Sequence, residues 1–323
     1  MPRYAAVRSH IIDLPAYEPV FPINRLAEAY HLPLEGLVKL DANENPYAPF
    51  EFIRAALAGL DNIHRYPDPE GTALRAALSD YFAVPVENIL AGAGADDLID
   101  LIMRLFLDPD DCVLNCPPTF GMYAFDAGLY RARAVNVPRR ADFSLDLEAI
   151  ERAVETEHPK LIFVTSPNNP DGSLLSPDDL ERLLALPAIV VLDEAYVEFA
   201  PPGTSVIARV PQCENLVVLR TFSKWAGLAG LRVGYGVFPL WMMAQLWKIK
   251  QPYSLSVAAE CAGVEAIQHA DELNRVGQKI IAERERLFQA LQKFSWLKVY
   301  PSQANFLLCR LMGRDAAAVK QTL

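Results

Sequence analysis

Residues 216–232 read LVVLRTFSKWAGLAGLR, a short apolar run followed by hydroxyl, lysine and glycine residues. The apolar run at 216–219 is typical of a buried strand in a parallel sheet. Lys224 would then lie in the loop at the carboxyl end of that strand, where open α/β sheets bind their ligands. A lysine that is partly desolvated, or that has Arg220 and Arg232 beside it, is a better nucleophile toward a carbonyl because its amine is more often neutral. The stretch therefore predicts a site for an aldehyde cofactor that carries a phosphate.

Strands and helices alternate along the chain before this stretch. We predict helices at 72–82 and 96–106, and strands at 112–115, 132–137, 161–165, 189–192 and 216–219. Such alternation implies βαβ units and a mostly parallel sheet. A long, charge-rich helical segment is expected at 254–294, with a further strand at 305–309.

The two ends of the chain differ from this middle part in composition and periodicity. The first fifty or so residues are rich in proline and show little periodicity, which suggests an extended arm. The helical segment after Pro252 suggests a second, smaller unit. We therefore expect an N-terminal arm at 1–35, a large domain at 36–250 and a small C-terminal domain at 251–323.

Composition excludes several classes of function. At 323 residues and 52% hydrophobic content, the chain is long enough for one large and one small domain. Its net charge of -10 argues against binding to nucleic acid or to an anionic membrane. The amino terminus is not typical of a secretory signal, and no apolar stretch approaches the ~18 residues of a membrane span. The five cysteines are scattered without a paired metal-ligand spacing, so we expect reduced thiols, no metal site and a cytoplasmic protein.

Two segments before the lysine carry candidate ligand-binding groups. Residues 91–97 read AGAGADD and precede a predicted helix, so their backbone N–H groups could bind a phosphate. A plain turn with Asp96 as the helix N-cap is the alternative. Residues 115–123 read NCPPTFGMY, and Phe120 could stack on a planar heteroaromatic ring or be an ordinary core residue.

Two further segments follow predicted strands directly. Residues 166–172 read SPNNPDG, where Asn169 could donate to a phenolic oxygen or merely satisfy the backbone of a turn. Residues 190–196 read VVLDEAY, and Asp193 needs a cationic partner because an unpaired charge is unfavourable at the end of an apolar strand. A protonated pyridine nitrogen would serve and would keep its ring an electron sink. Alternatively, Asp193 pairs with a local arginine or caps a helix. Tyr196, three residues later, could reach the oxygen of the same ring.

Taken in this order, the segments resemble the fold-type I pyridoxal 5'-phosphate (PLP) aminotransferases, and among them most closely the histidinol-phosphate aminotransferases. The resemblance extends over roughly residues 36–310. It is carried by LDANENP at 40–46, RYPD at 65–68, NNP at 168–170, DEAY at 193–196 and the lysine segment with GLAGLR at 227–232. It implies an α/β fold with a large PLP-binding domain, whose mostly parallel seven-stranded sheet is flanked by helices, and a smaller C-terminal α/β domain.

The resemblance also implies residue roles. Lys224 would bond to the cofactor's aldehyde and later move a proton, Asp193 would hold the pyridinium, and Tyr196 would bind the ring oxygen. The residues implied to bind PLP are Tyr66, Ala95, Asp96, Phe120, Asn169, Asp193, Tyr196, Thr221, Ser223, Lys224 and Arg232. Tyr66 would reach the phosphate of the neighbouring subunit, which implies a homodimer with a shared active site. Tyr17 and Asn43 would line the substrate end.

The activity so implied is transamination of histidinol phosphate with 2-oxoglutarate in L-histidine biosynthesis. Its partners would be a small-molecule amino donor and a 2-oxo acid, with no nucleic acid and no membrane. Two alternatives stay open. One is a related PLP enzyme, such as a phosphothreonine decarboxylase or an aromatic aminotransferase, and the other is a truncated, non-catalytic remnant of the fold.

The sequence departs from the family at three places. Asp171 stands where threonine is usual and is expected to point away from the ring, and Trp225-Ala226 replaces a small-then-aromatic pair. The chain ends at Leu323, before a strand and two arginines that hold the substrate's anionic group in the family. We therefore expect an incomplete small domain of low stability, from a fragment or truncated product, or a different mode of substrate binding.

Overall fold

The computed structural model describes residues 6–16 and 20–322, and a seven-stranded sheet forms its centre. In chain order the strands are β1 Ile89–Gly92, β2 Cys112–Asn115, β3 Arg133–Asn136, β4 Leu161–Thr165, β5 Ile189–Asp193, β6 Leu216–Thr221 and β7 Gly234–Val237. Their spatial order is β1-β7-β6-β5-β4-β2-β3. Strand β7 runs antiparallel to both its neighbours, and the other pairs are parallel. The predicted α/β fold with a mostly parallel seven-stranded sheet is confirmed.

Helices cover both faces of this sheet. They are α1 Ser9–Ile12, α2 Ile23–Tyr30, α3 Glu51–Ala58, α4 Thr72–Phe82, α5 Ala95–Phe106, α6 Met122–Leu129, α7 Leu147–Glu157, α8 Pro177–Leu184, α9 Leu240–Ile249, α10 Val257–Gln268, α11 Ala270–Leu291 and α12 Ala316–Thr322. Side chains alternate between two buried apolar clusters along the central strands, with Ile162 and Val190 in one cluster and Phe163 and Val191 in the other. Such double burial explains why these strands read as continuous apolar runs.

The predicted elements agree well with the observed ones in the centre of the chain. Each predicted strand between residues 112 and 219 is present, and the helices predicted at 72–82 and 96–106 are α4 and α5. Strands β1 and β7 were not predicted. Both are short and contain glycine, and β7 pairs with β6 so that Thr221 lies opposite Gly234.

The C-terminal part contains a small antiparallel pair, β8 Leu297–Val299 and β9 Cys309–Leu311. The strand predicted at 305–309 is wrong except at its last residue. Asn305 instead donates from Nδ2 to the carbonyl of Asn43 at 2.9 Å, and the ring of Phe306 packs edge-on against Tyr196 at 5.0 Å between centroids. These long-range contacts hold the segment in an irregular conformation.

The boundaries of the predicted domains stay a prediction. Helix α10 follows the expected boundary at residue 250 and packs against α3 and α4 of the preceding part. In the N-terminal arm, α1 contacts α6. Within the described ranges, none of the helices combines the length and the apolar character of a membrane span.

Candidate active site

The carboxyl ends of β4, β5 and β6 open into a cavity of about 410 Å³. Its lining residues are Val20, Asp41, Ala42, Asn43, Glu44, Ala95, Asp96, Phe120, Thr165, Asn169, Asp193, Ala195, Tyr196, Thr221, Ser223, Lys224, Ala229 and Arg232. The cavity thus brings together the predicted site residues apart from Tyr66 and Tyr17. Tyr66 is 82% exposed, with its ring stacked on that of Tyr253 at 4.7 Å between centroids, and Tyr17 lies outside the described residues.

Lys224 lies in the loop after β6, half-buried, and points into the cavity. Its Nζ donates to the carbonyl of Ala42 at 2.8 Å. Burial lowers the pKa of the amine, and Arg232 lowers it further, while Glu44 and Asp96 act in the opposite direction. The net lowering increases the neutral fraction, which is the form that attacks a carbonyl.

Arg220 is not a neighbour of Lys224, so that expectation was wrong. Its guanidinium is buried beside two carboxylates, with Nη2 3.0 Å from Glu194 Oε2 and Nη1 3.2 Å from Glu198 Oε1. Side chains alternate along a strand, so Arg220 and its neighbour Thr221 face opposite sides of β6. Only Thr221 lines the cavity.

Asp193 ends β5 and is 5% exposed. Within the part of the chain that the structure describes, neither an arginine nor a helix holds its carboxylate. The hydroxyl of Tyr123 donates to Oδ2 at 2.7 Å, and the backbone N–H of Ala195 donates to Oδ1 at 3.0 Å. Burial raises the pKa of this carboxyl to about 6, although both hydrogen bonds oppose the rise. A cation brought to Asp193 would therefore meet a buried carboxylate with no competing ion pair.

The opposite end of the cavity is built for an anion. The first N–H groups of helix α5 have no partner within the helix, and they lie beside Thr221, Ser223 and Arg232. Gly94, at φ +89°, is the N-cap residue, so the proposed N-cap role of Asp96 was wrong. A Cβ on Gly94 would lie 2.4 Å from Arg232 Nη2, so glycine makes room for the guanidinium here. Asp96 Oδ2 accepts from the same Nη2 at 2.8 Å.

The remaining wall carries polar and aromatic groups. The hydroxyl of Tyr196 accepts from Asn43 Nδ2 at 3.2 Å, and burial raises its pKa to about 12, so the phenol keeps its proton. Phe120 packs edge-on against Tyr123 at 5.5 Å between centroids. Asn169 follows β4 and also lines the cavity.

Asp171 points away from the cavity, as predicted. Its carboxylate is buried, accepts from Ser173 N at 2.8 Å and accepts from the amide of Asn168. Trp225 is 3% exposed and donates from Nε1 to Asn274 at 3.0 Å, so its bulk is accommodated outside the cavity.

Sequence reasoning missed Tyr123 and Thr165. Tyr123 is completely buried and does not line the cavity, so it resembles an ordinary core residue. A signal was nevertheless present. Phe120 precedes α6 and Tyr123 lies in the first turn of that helix, so a second aromatic residue stands only three positions after the predicted Phe120.

Comparison with known proteins gives a consistent picture. Residues 35–323 match the family described as aminotransferase class I and II. The chain is 53% identical to the histidinol-phosphate aminotransferase of Roseiflexus castenholzii, covering 98% of this chain and 87% of that protein. It is 50% identical to the chloroplastic histidinol-phosphate aminotransferase of Nicotiana tabacum, covering 99% and 77%.

Solved structures with the same fold include two of interest. The histidinol-phosphate aminotransferase of Sinorhizobium meliloti, in complex with pyridoxal-5'-phosphate, has a TM-score of 0.87 at 27% identity and covers 99% of this chain and 86% of that one. The L-threonine-O-3-phosphate decarboxylase of Porphyromonas gingivalis has a TM-score of 0.78 at 25% identity and covers 88% and 86%.

Proposed function

We propose a function for the chain, which belongs to the class I and II aminotransferase family. It transfers the amino group of histidinol phosphate to 2-oxoglutarate with PLP as cofactor, as L-histidine biosynthesis requires. The observation that carries the proposal is the 53% identity to a histidinol-phosphate aminotransferase over 98% of this chain. The cavity supports it, because its groups match the chemical groups of PLP one by one.

The fit to PLP can be judged from the two ends of the cavity. Its volume of about 410 Å³ falls within the usual range for a small-molecule site. The phosphate would bind at the N-terminus of α5, through the N–H groups of Ala95 and Asp96, with Thr221, Ser223 and Arg232. The pyridine nitrogen would pair with Asp193. PLP, when bound, supplies an electron sink that makes the substrate's carbon–hydrogen bond acidic.

Lys224 provides the reactive amine in this proposal. Its lowered pKa favours the neutral form that attacks the cofactor's aldehyde. With the cofactor bound, the same Nζ would be the base that takes the proton from the substrate's carbon and the acid that returns it. The carbonyl of Ala42 holds Nζ in place beforehand.

Three wall residues would orient the ring. Tyr196 keeps its proton and can donate to the ring oxygen, as can the amide of Asn169. Phe120 would stack on the ring face. Asn43 donates to the Tyr196 hydroxyl, which supports a place for Asn43 at the substrate end. The role of Tyr17 there stays a prediction.

We also propose a homodimer in which each active site uses Tyr66 of the other subunit. Tyr66 is 82% exposed and lies outside its own cavity. Apolar side chains that precede it are exposed as well, namely Phe21, Leu32, Leu34, Val38 and Leu40. A second copy of the chain would cover this surface.

Complementation tests the shared site. Tyr66→Ala and Lys224→Ala chains are each expected to form nearly inactive dimers. Mixed at random, they should recover about a quarter of wild-type activity, because half of the dimers would carry one intact site of two. Activity no higher than the average of the two separate variants would contradict a shared site.

Substrate choice is tested by one set of assays. With PLP bound, the protein should absorb visible light and form glutamate from histidinol phosphate and 2-oxoglutarate. Phenylalanine and phosphothreonine serve as competitors, and carbon dioxide release from phosphothreonine would favour the decarboxylase instead. We expect kcat/KM to be at least ~100-fold higher for histidinol phosphate, because a site built for specific polar groups rejects analogues that lack them. A protein that stays colourless with PLP would contradict the proposal.

A further inference from the structure

Tyr123 occupies a fixed position directly behind the cavity. It lies in the first turn of α6 and is completely buried. Its ring stacks on Phe163 at 4.8 Å between centroids and meets the edge of Phe120 at 5.5 Å. These contacts aim its hydroxyl at the ends of β4 and β5, 2.8 Å from Thr165 Oγ1 and 2.7 Å from Asp193 Oδ2.

A chain of hydrogen bonds leads from Thr165 through Thr119 and Asn168 to the carbonyl of Pro118, which can only accept. Thr165 Oγ1 lies 3.3 Å from Thr119 Oγ1, which donates to Asn168 Oδ1 at 3.0 Å. Asn168 Nδ2 in turn donates to the carbonyl of Pro118 at 3.0 Å and to Asp171. The carbonyl of Pro118 has no proton to give, so it fixes which way the Asn168 amide points.

Proton counting and the distances together indicate a direction for this chain of hydrogen bonds. Each hydroxyl has one proton to donate. Thr119 uses its proton on Asn168, so it has none for Thr165. Thr165 Oγ1 lies 2.8 Å from the Tyr123 hydroxyl and 3.3 Å from Thr119 Oγ1, so the shorter contact favours donation to Tyr123. The proton of Tyr123 is therefore directed at Asp193, which is held as an acceptor.

We propose that Tyr123 is a positioning residue, which keeps Asp193 ionised and oriented toward the pyridine nitrogen of the cofactor. The inference rests on the proposed function. Burial favours a protonated Asp193, and among the described residues the other hydrogen bond to its carboxylate comes from Ala195 N. A hydrogen bond from a hydroxyl to an ionised carboxylate is stronger than one to a protonated carboxyl, so the Tyr123 donor favours the ionised form of Asp193.

The surrounding charges do not replace this hydrogen bond. Asp96 and Glu194 both disfavour ionisation of Asp193, and the Tyr196 phenol stays neutral. Asp193 raises the pKa of Lys224, but burial lowers that pKa by more. Tyr123 thus supplies the donor that the cavity itself lacks.

The test compares Tyr123→Phe with the matched control Tyr130→Phe. Tyr130 also donates to an aspartate, Asp100 Oδ1 at 2.6 Å, but it lies outside the cavity. In the cofactor-free protein, infrared titration follows the protonated carboxyl band of Asp193, identified by its loss in Asp193→Asn. PLP affinity is then measured against pH by fluorescence quenching.

Wild type should lose PLP affinity as the pH falls through about 6, where Asp193 becomes protonated. In Tyr123→Phe the infrared and the binding midpoints should both move up by about one pH unit, so that binding weakens about twofold at pH 7 and about tenfold near pH 5. Tyr130→Phe should match wild type. Thr165→Val, which keeps the phenol but removes its donor, should shift the midpoints in the same direction by less, and it serves as the test if Tyr123→Phe does not fold.

The outcomes separate the two proposals. If wild type binds PLP and Tyr123→Phe shows the wild-type infrared and binding midpoints, the inference about Tyr123 is overturned and the proposed function stands. If wild type binds no PLP, both are overturned. Upward shifts in Tyr123→Phe that are absent from Tyr130→Phe support the inference.

Discussion

The floor and the rim of the cavity differ in how they are built. The floor consists of residues at strand ends, such as Thr165, Asp193 and Thr221, which are between 2% and 7% exposed. The rim contains Asp41 and Glu44, whose side chains are 49% and 56% exposed and which share Lys39 as an ion-pair partner. Interactions on the floor are desolvated and geometrically fixed, whereas those on the rim are screened by water and salt. Changes on the floor should therefore have much larger effects.

The largest effect is expected from Lys224→Ala. The variant loses both the amine that bonds to the cofactor and the group that moves the proton, so kcat with histidinol phosphate should fall by at least ~10⁴-fold. Borohydride treatment followed by mass spectrometry should attach PLP to Lys224 in the wild type and to no residue of the cavity in the variant.

Lys279→Ala is the matched control for this change. Lys279 lies outside the cavity, with Nζ 5.8 Å from the ring centroid of Tyr47. Its removal should leave kcat and the borohydride adduct nearly unchanged. Turnover by Lys224→Ala at a rate close to wild type would contradict the proposed role of the Lys224 amine.

Gly172→Ala tests whether the turn beside the floor and the C-terminal part are packed as one unit. Gly172 has φ +76°, and an added Cβ would lie 2.0 Å from Ser302 Oγ and 2.8 Å from Ser302 Cα. Gly203 has φ +82° with nothing within 4 Å of such a Cβ, so Gly203→Ala suffers the same backbone strain without the clash. We expect the free energy of unfolding to fall by about 3 kcal/mol for Gly172→Ala and by about 1 kcal/mol for Gly203→Ala. Equal losses in urea denaturation would mean that residue 302 is not packed against the turn.

Asp193→Asn removes the charge on the floor while keeping its shape. PLP binding at pH 7 should weaken by ~30-fold, which is the order of one charge-assisted hydrogen bond. The wild-type carboxyl, with its pKa raised by burial to about 6, is ionised above that pH and loses its charge below it. Wild-type affinity should thus decline as the pH falls from 8 to 5, and the decline should be absent from the variant. A parallel decline in both proteins would assign the pH dependence to another group.

Glu44→Gln is expected to have the smallest effect, because it changes the rim. Glu44 opposes the lowering of the Lys224 pKa, so its neutralisation should let that pKa fall further. Since the Glu44 side chain is 56% exposed, the change in the rate of PLP attachment should stay within about threefold and shrink at high salt. A hundredfold decrease in the rate of PLP attachment that does not depend on salt would contradict the distinction between floor and rim.

The same distinction explains how much could be predicted from the sequence. Lys224, Asp193, Asn169 and Thr221 each follow an apolar run that predicts a buried strand, and the ends of parallel strands meet at one edge. Their place at the cavity could therefore be predicted from the sequence. The rim residues lie in an irregular loop, for which the sequence offers no comparable geometric rule.

Errors arose where long-range contacts decide the local structure. Arg220 was placed beside Lys224, although alternation along β6 directs it toward Glu194. The strand predicted at 305–309 is broken by contacts to Asn43 and Tyr196, which are far away in the chain. Tyr123 was overlooked because a tyrosine in an apolar helix is typical of a core. Its partner at the end of β5 becomes evident only when the fold is known.

The antiparallel pairing of β6 with β7 has a consequence for the loop that carries Lys224. Thr221 and Gly234 lie opposite each other in the sheet, so the chain between them is closed at its base by interior strands. The conformational entropy of this loop is lost when the protein folds, so ligand binding does not have to include that loss. Amide hydrogens at the base of the loop should therefore exchange with solvent only when the whole sheet opens, at a rate that reports global stability.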